Sequence, residues 1–99
     1  MRFRVAIGLA AFLDAEAIFD FIRADSPVEA GRWLDGLLAA IDSLGHFPRR
    51  FPRAPQARPT RREVRRMLYK SHRVFFTVVG REVRILHIRH GARLPRREP

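Results

Sequence analysis

Arginine carries most of the chemistry this chain can offer. Of its 20 Lys+Arg residues only Lys70 is lysine, and the planar guanidinium favours bidentate partners such as carboxylates and phosphates. A GC-rich genome would enrich the same residue, so the count alone names no ligand. The chain has no cysteine, which removes disulfides, thiolate zinc sites and thiol nucleophiles together and fits a reducing, cytoplasmic setting. Among the four histidines, His87 and His90 stand three apart in a β-rich run. That spacing sends them to opposite faces of a strand, with Glu82 the one carboxylate near them in sequence, so no metal site is expected. His46 and His72 fall in turns and are expected to be solvated, while Trp33 and Met67 read as core.

The basic residues are unevenly placed. Residues 1–45 carry four Arg against seven acids, a balance of −3, whereas residues 46–99 carry 16 basic residues against three acids, a balance of +13. At 99 residues, with 46% hydrophobic and 30% charged, the chain has the apolar content of one folded domain and too much for a disordered segment. Arg2 and Arg4 ahead of the apolar run Val5 to Leu13 imitate a secretory signal. However, Phe3, Val5 and Ile7 alternate with Arg2, Arg4 and Ala6, and the helical period beyond runs through the would-be cleavage point, so a strand at residues 2–8 is expected instead. No segment reaches the roughly 20 apolar residues of a membrane-spanning helix.

Ala11, Ala15, Ile18 and Ile22 recur at helical spacing with Phe19 beside them and Glu16, Asp20 and Arg23 opposite, which predicts an amphipathic helix. Ser26-Pro27-Val28-Glu29 has the form of a capping box that opens a second helix. Its stripe is Ala30, Leu34, Leu37, Ile41 and Leu44, with Trp33 and Leu38 alongside, and Gly45 is placed for a left-handed stop. Residues 46–62, with Pro48, Pro52, Pro55 and Pro59 among six arginines, read as a long basic loop. Three β-rich runs follow, Glu63 to Tyr69, Arg73 to Val79 and Glu82 to Arg89, with turns at Lys70-Ser71 and Gly80-Arg81. The order predicts an α+β domain: a strand, a two-helix hairpin packed on one sheet face, and a three-stranded antiparallel meander. Both faces of the meander look apolar at the centre. Two helices cover one, so the second is expected to be a bare apolar surface rimmed by Arg, reserved for another chain.

Taken in order, these pieces resemble the RelE/ParE superfamily of bacterial toxins from type II toxin–antitoxin systems. The resemblance spans residues 3–93 and rests on the N-terminal strand, the Ala11–Ile22 helix, Ser26-Pro27 with Ala30, Leu44 with Pro48, Arg73-Val74-Phe75-Phe76, and the ending Ile85-Leu86-His87-Ile88-Arg89-His90-Gly91-Ala92-Arg93. His90-Gly91-Ala92-Arg93 is similar to the ParE branch, known from plasmid-stabilisation operons. The resemblance implies one toxin domain over 1–93 with a basic tail at 94–99. It implies a cytoplasmic inhibitor of DNA gyrase that needs no cofactor and is neutralised by a ParD-like acidic antitoxin in a hetero-oligomer. Antitoxin or target contacts are then expected from Arg66, Arg73, Phe75, Arg84, Arg89, His90 and Arg93. The RelE branch instead cuts messenger RNA on the ribosome. That chemistry needs cations at the scissile phosphate, from Arg65, Arg66, Arg73, Arg84 or Arg89, and proton transfer from His87, His90, Tyr69 or Glu63. Arg65, Arg73, His87 and His90 would be its catalytic set. A single tyrosine, Tyr69, departs from the Tyr-rich ending of that branch and leans against an enzyme. A plain nucleic-acid-binding module meets the charge criterion but lacks any recognisable binding motif.

Overall fold

The computed structural model describes residues 2–55 and 62–90. Strand β1 (Arg4–Ile7) leads into helices α1 (Leu9–Asp25) and α2 (Pro27–Asp42), two short 3-10 turns (Ser43–Gly45 and Pro48–Arg50), and strands β2 (Val64–Tyr69), β3 (His72–Val79) and β4 (Glu82–His90). The sheet order is β1-β4-β3-β2. The last three strands are antiparallel, as their short turns require, and β1 joins β4 in parallel because the helical pair supplies the crossover. Gly80, at φ 60, takes the first turn position expected of it, and Lys70 adopts φ 52 at the other hairpin. The ending Gly91-Ala92-Arg93, the 94–99 tail and residues 56–61 of the basic loop lie outside the described residues.

One residue separates the two helices. Ser26 is extended, at φ −153, and its Oγ accepts the Glu29 N–H at 3.2 Å, with Pro27 in the first turn where no amide donor is needed. The capping box is only half formed. The Ser26 N–H donates to Ile22 O, and the Glu29 carboxylate pairs with Arg32 at 3.2 Å. Ala30, Trp33, Leu37 and Ile41 form the buried stripe of α2, whereas Leu38 is exposed. Gly45 is not the left-handed stop its position suggested: α2 ends at Asp42 and runs through a right-handed Ser43 into the 3-10 turn, and the left-handed residue is Phe47, at φ 46, which opens the next turn. Gly45 is small for another reason: a Cβ there would stand 3.0 Å from the Phe3 carbonyl, against which the chain pairs through Phe3 N–H to Gly45 O at 2.7 Å.

The core lies between the helices and one sheet face. Leu37, Leu44, Val74, Phe76, Val83 and Ile85 are fully buried there, each worth about 1.5–3 kcal/mol of hydrophobic stabilisation. Phe51 from the proline-rich segment packs edge-on against Phe76 at 6.1 Å, which fixes residues 48–55 to the sheet and makes that part of the basic loop an ordered flap.

Two expectations about exposure are corrected. The second sheet face is not bare, because Phe75 and Thr77 at its centre are 5% and 3% exposed. The residues around Phe75, namely Arg66, Arg73 and His87, are themselves only partly exposed, and long polar side chains at cross-strand distance can fold over a ring. Apart from Leu68 and Val79 at its ends, that face shows little apolar surface, and α1 carries the larger share of exposed apolar side chains. Leu9, Phe12, Leu13 and Phe21 all point to solvent, Phe21 at 81%, so α1 is apolar on nearly every side, as a helix covered on both sides would be.

Candidate functional site

The far end of the β2–β3–β4 meander gathers most of the residues with chemistry, and strand register sorts them. Arg66, Phe75 and His87 form one cross-strand row, and Leu68, Arg73 and Arg89 form another two residues along; both rows face away from the helices. Between and beyond them, the rows Met67–Val74–Ile88 and Tyr69–His72–His90 face the helical layer. A bulge sets this arrangement: β3 and β4 change register between Phe75 and Phe76, leaving Leu86 as the extra residue. Strict alternation would place Val83, Ile85, His87 and Arg89 on one face. The bulge keeps Val83 and Ile85 in the core, turns Ile88 inward as well, and sends His87 and Arg89 outward.

Asp14 of α1 fixes the edge of this patch. Strand β1 stops opposite Ile85, so β4 is open beyond that point, and there the Asp14 carboxylate accepts the Ile88 N–H at 2.9 Å. It also lies 3.4 Å from Arg89 Nη1 and 3.4 Å from His87 Nδ1. Asp14 was not among the residues singled out from the sequence. The available signal was its place on the inward stripe of α1, three residues after Ala11 and four before Ile18.

Arg73 has no such partner. It stands directly opposite Arg89, a like-charge pair that disfavours the sheet. Its Nε and Nη1 are buried without a hydrogen-bond acceptor among the described residues. Each such donor costs on the order of 1–3 kcal/mol when left unsatisfied, so the guanidinium is a standing demand for an oxygen ligand.

The helix-facing row is an aromatic cluster. His72 meets Trp33 at 5.4 Å and His90 at 5.5 Å, and the Tyr69 hydroxyl donates to Trp33 O at 2.9 Å. Tyr69 crosses over Gly36, where a Cβ would overlap its hydroxyl. Burial pushes the Tyr69 phenol up, so it keeps its proton and its single donor is already used. His72 is not a solvated turn residue: it is the first residue of β3, and burial, followed by the neighbouring His90, lowers its pKa. The folded state therefore prefers neutral His72, while the unfolded chain takes up the proton near the ordinary value of about 6.5. Stability is then complete above that pH and falls as pH drops below it. Thermal melts of the chain from pH 7.5 to 5 should show a declining midpoint, and His72→Phe should flatten the decline; an unchanged slope would remove His72 as its source.

Arg65 and Glu63 are committed to structure. Arg65, on the helix-facing side opposite Phe76, binds Glu63 through Nε and the Phe51 carbonyl through Nη1, with Arg49 3.4 Å from the same carboxylate. Burial works to raise the Glu63 pKa, but the hydrogen bond and charge of Arg65 together with Arg49 outweigh it and hold the carboxyl below its usual range. Arg65, Arg73, His87 and His90 therefore do not converge: Arg65 and His90 face the helices, Arg73 and His87 the opposite side. Arg84 is exposed on that opposite side, beside Ala6 and Thr77, and its Nε bonds Glu82 at 2.6 Å. Phe75, on the same face, is 5% exposed and offers almost no contact surface. Arg93 lies outside the described residues. Among the described residues no three His, Cys, Asp or Glu side chains come together as metal ligands, and no helix is long and apolar enough to cross a membrane.

What remains is a two-row patch of Arg66, Arg73, Arg89 and His87, edged by one carboxylate and exposing Leu68, suited to holding carboxylates or phosphates. Residues 7–95 match the family model described as "ParE toxin of type II toxin-antitoxin system, parDE". The fold is also that of a solved structure from P. aeruginosa titled "Chromosomal ParDE TA system", with TM-score 0.73 and 21% identity over 90% of this chain and 96% of that one. No curated protein matches the chain.

Proposed function

Because the chain belongs to the ParE toxin family of type II toxin–antitoxin systems, we propose that it is a cytoplasmic growth inhibitor acting on DNA gyrase and silenced by an acidic, ParD-like antitoxin encoded beside it. The observation that supports the antitoxin half of this reading is the Arg73 guanidinium, a cation with buried donors and no acceptor among the described residues. An acidic segment folding onto the patch would bring carboxylates to Arg73 and Arg66, and the exposed Leu9, Phe12, Leu13 and Phe21 of α1 offer apolar area to the same partner. The bare sheet face expected from the sequence does not enter this reading; the polar demand at its end replaces it.

Ribosome-dependent RNA cleavage is a second reading with a specific foothold. His87 has Asp14 on its Nδ1 side and shares a face with Arg66 and Arg73, which is the kind of set that proton transfer beside a phosphate requires. Inducible expression in a bacterial host separates the two. Growth arrest with DNA breaks and lost supercoiling, relieved by co-expressing the neighbouring gene, is the expected outcome. Arrest with new messenger RNA ends inside codons would replace gyrase by the ribosome as target, and growth without arrest by a folded chain would overturn the toxin reading.

A further inference from the structure

Strand β2 is the outer strand of the sheet on the side away from β1, and its free edge is only half used. The proline-rich flap covers the first half: Ala54 N–H donates to Val64 O at 2.8 Å, Arg66 N–H donates to Pro52 O at 3.1 Å, and Arg53 and Arg65 form an antiparallel bridge. In a strand the backbone groups of alternate residues point to the same side. Since those of Val64 and Arg66 point away from β3, so do those of Leu68. The flap ends before it reaches them, because Phe51 turns in to pack on Phe76, and no group among the described residues pairs with the outward backbone of Leu68. Its side chain is 67% exposed. Such an edge is ordinarily shielded, since unpaired strand backbone recruits other chains.

We infer that the Met67–Tyr69 edge of β2 takes an added strand, a short extended acidic segment of the antitoxin, as the continuation of the strand begun by residues 52–54. This rests on the reading of the chain as an antitoxin-bound toxin. The occupant follows from charge and register. Arg66 flanks Leu68 on the same face, Arg73 lies across the strand from Leu68, and Lys70 closes the hairpin. A strand laid on this edge therefore meets two backbone groups of Leu68 and cations on either side of them. Alternate acidic side chains on the outward face would reach Arg66 and Arg73, while the flap shows that the edge accepts antiparallel pairing.

The test is hydrogen exchange of the intact toxin, free and in complex with the co-expressed product of the neighbouring gene, together with Leu68→Pro. Proline removes only the outward-pointing N–H of Leu68, which takes no part in the β2–β3 ladder, so the hairpin is expected to survive. Leu68→Thr shortens the side chain and keeps the N–H. The inference predicts a Leu68 amide that exchanges freely in the free toxin and is protected at least tenfold in the complex. It also predicts complex affinity falling about tenfold for Leu68→Pro and less than about threefold for Leu68→Thr. Should Leu68→Pro fail to fold, the wild-type exchange result decides alone. A complex that forms while the Leu68 amide stays unprotected overturns the added strand and leaves the toxin reading intact; absence of any complex overturns both.

Discussion

Replacing Arg73 and Arg89 together by glutamate should weaken antitoxin binding by at least about 100-fold, or roughly 2.7 kcal/mol. Two cations facing a partner's carboxylates become two anions, so attraction turns to repulsion, and the desolvated donors of Arg73 are lost with it. The same exchange at Arg2 and Arg4 should change affinity less than about threefold. Arg2 is already paired with Asp42 at 2.9 Å and Arg4 with Glu82 at 3.8 Å; both are exposed, where an ion pair is worth about 0–1 kcal/mol. Arg89→Glu also places an anion beside Asp14, so circular dichroism must accompany the titration. Arg73→Met serves as the milder variant, keeping the stem and the fold while removing the unsatisfied donors; it should lower affinity without lowering the stability of the free chain. Equal losses at the two Arg pairs would count against this face as the contact.

The largest effect on folding should come from Phe76→Ala. Phe76 is fully buried at the middle of β3, between the helical layer and the Phe51 ring. Truncation there should cost about 3–5 kcal/mol, and in a domain of this size each kcal/mol lowers Tm by about 4–8 °C. The total stability of such a domain is only about 5–15 kcal/mol, so much of the folded margin goes. Because Phe51 loses its seat, the Ala54 and Arg66 amides that bind the flap to β2 should exchange faster than the rest of the sheet. Phe21→Ala, on a side chain 81% exposed, should shift stability by less than about 0.5 kcal/mol. Similar losses at the two positions would mean that α1 is packed in solution against something, most simply a second copy.

The sequence made some of this legible for reasons that are local. The α2 stripe, the Ser26 cap and the Gly80 turn depend on neighbours within four residues, and the α+β layering follows from the order of runs. The patch depends on what locality cannot carry. One extra residue at Leu86 reverses the faces of half of β4, and a period-two count is blind to it. Asp14 acquires its role only because β1 ends opposite Ile85 and leaves β4 open 74 residues away in sequence. Arg65 and Glu63 look like catalytic candidates until the flap from residues 49–55 is laid against them. The second sheet face seemed greasy because Phe75 and Val79 alternate with polar residues on paper, whereas in the fold Phe75 is buried.

The most direct test is the nitrogen-edited NMR signal of Arg73 Nε–H in the free toxin and in its complex with the neighbouring gene's product. A guanidinium that has waited for an acceptor should, on binding, shift downfield and exchange its proton more slowly with water. A complex that assembles while this signal neither moves nor slows would contradict the account.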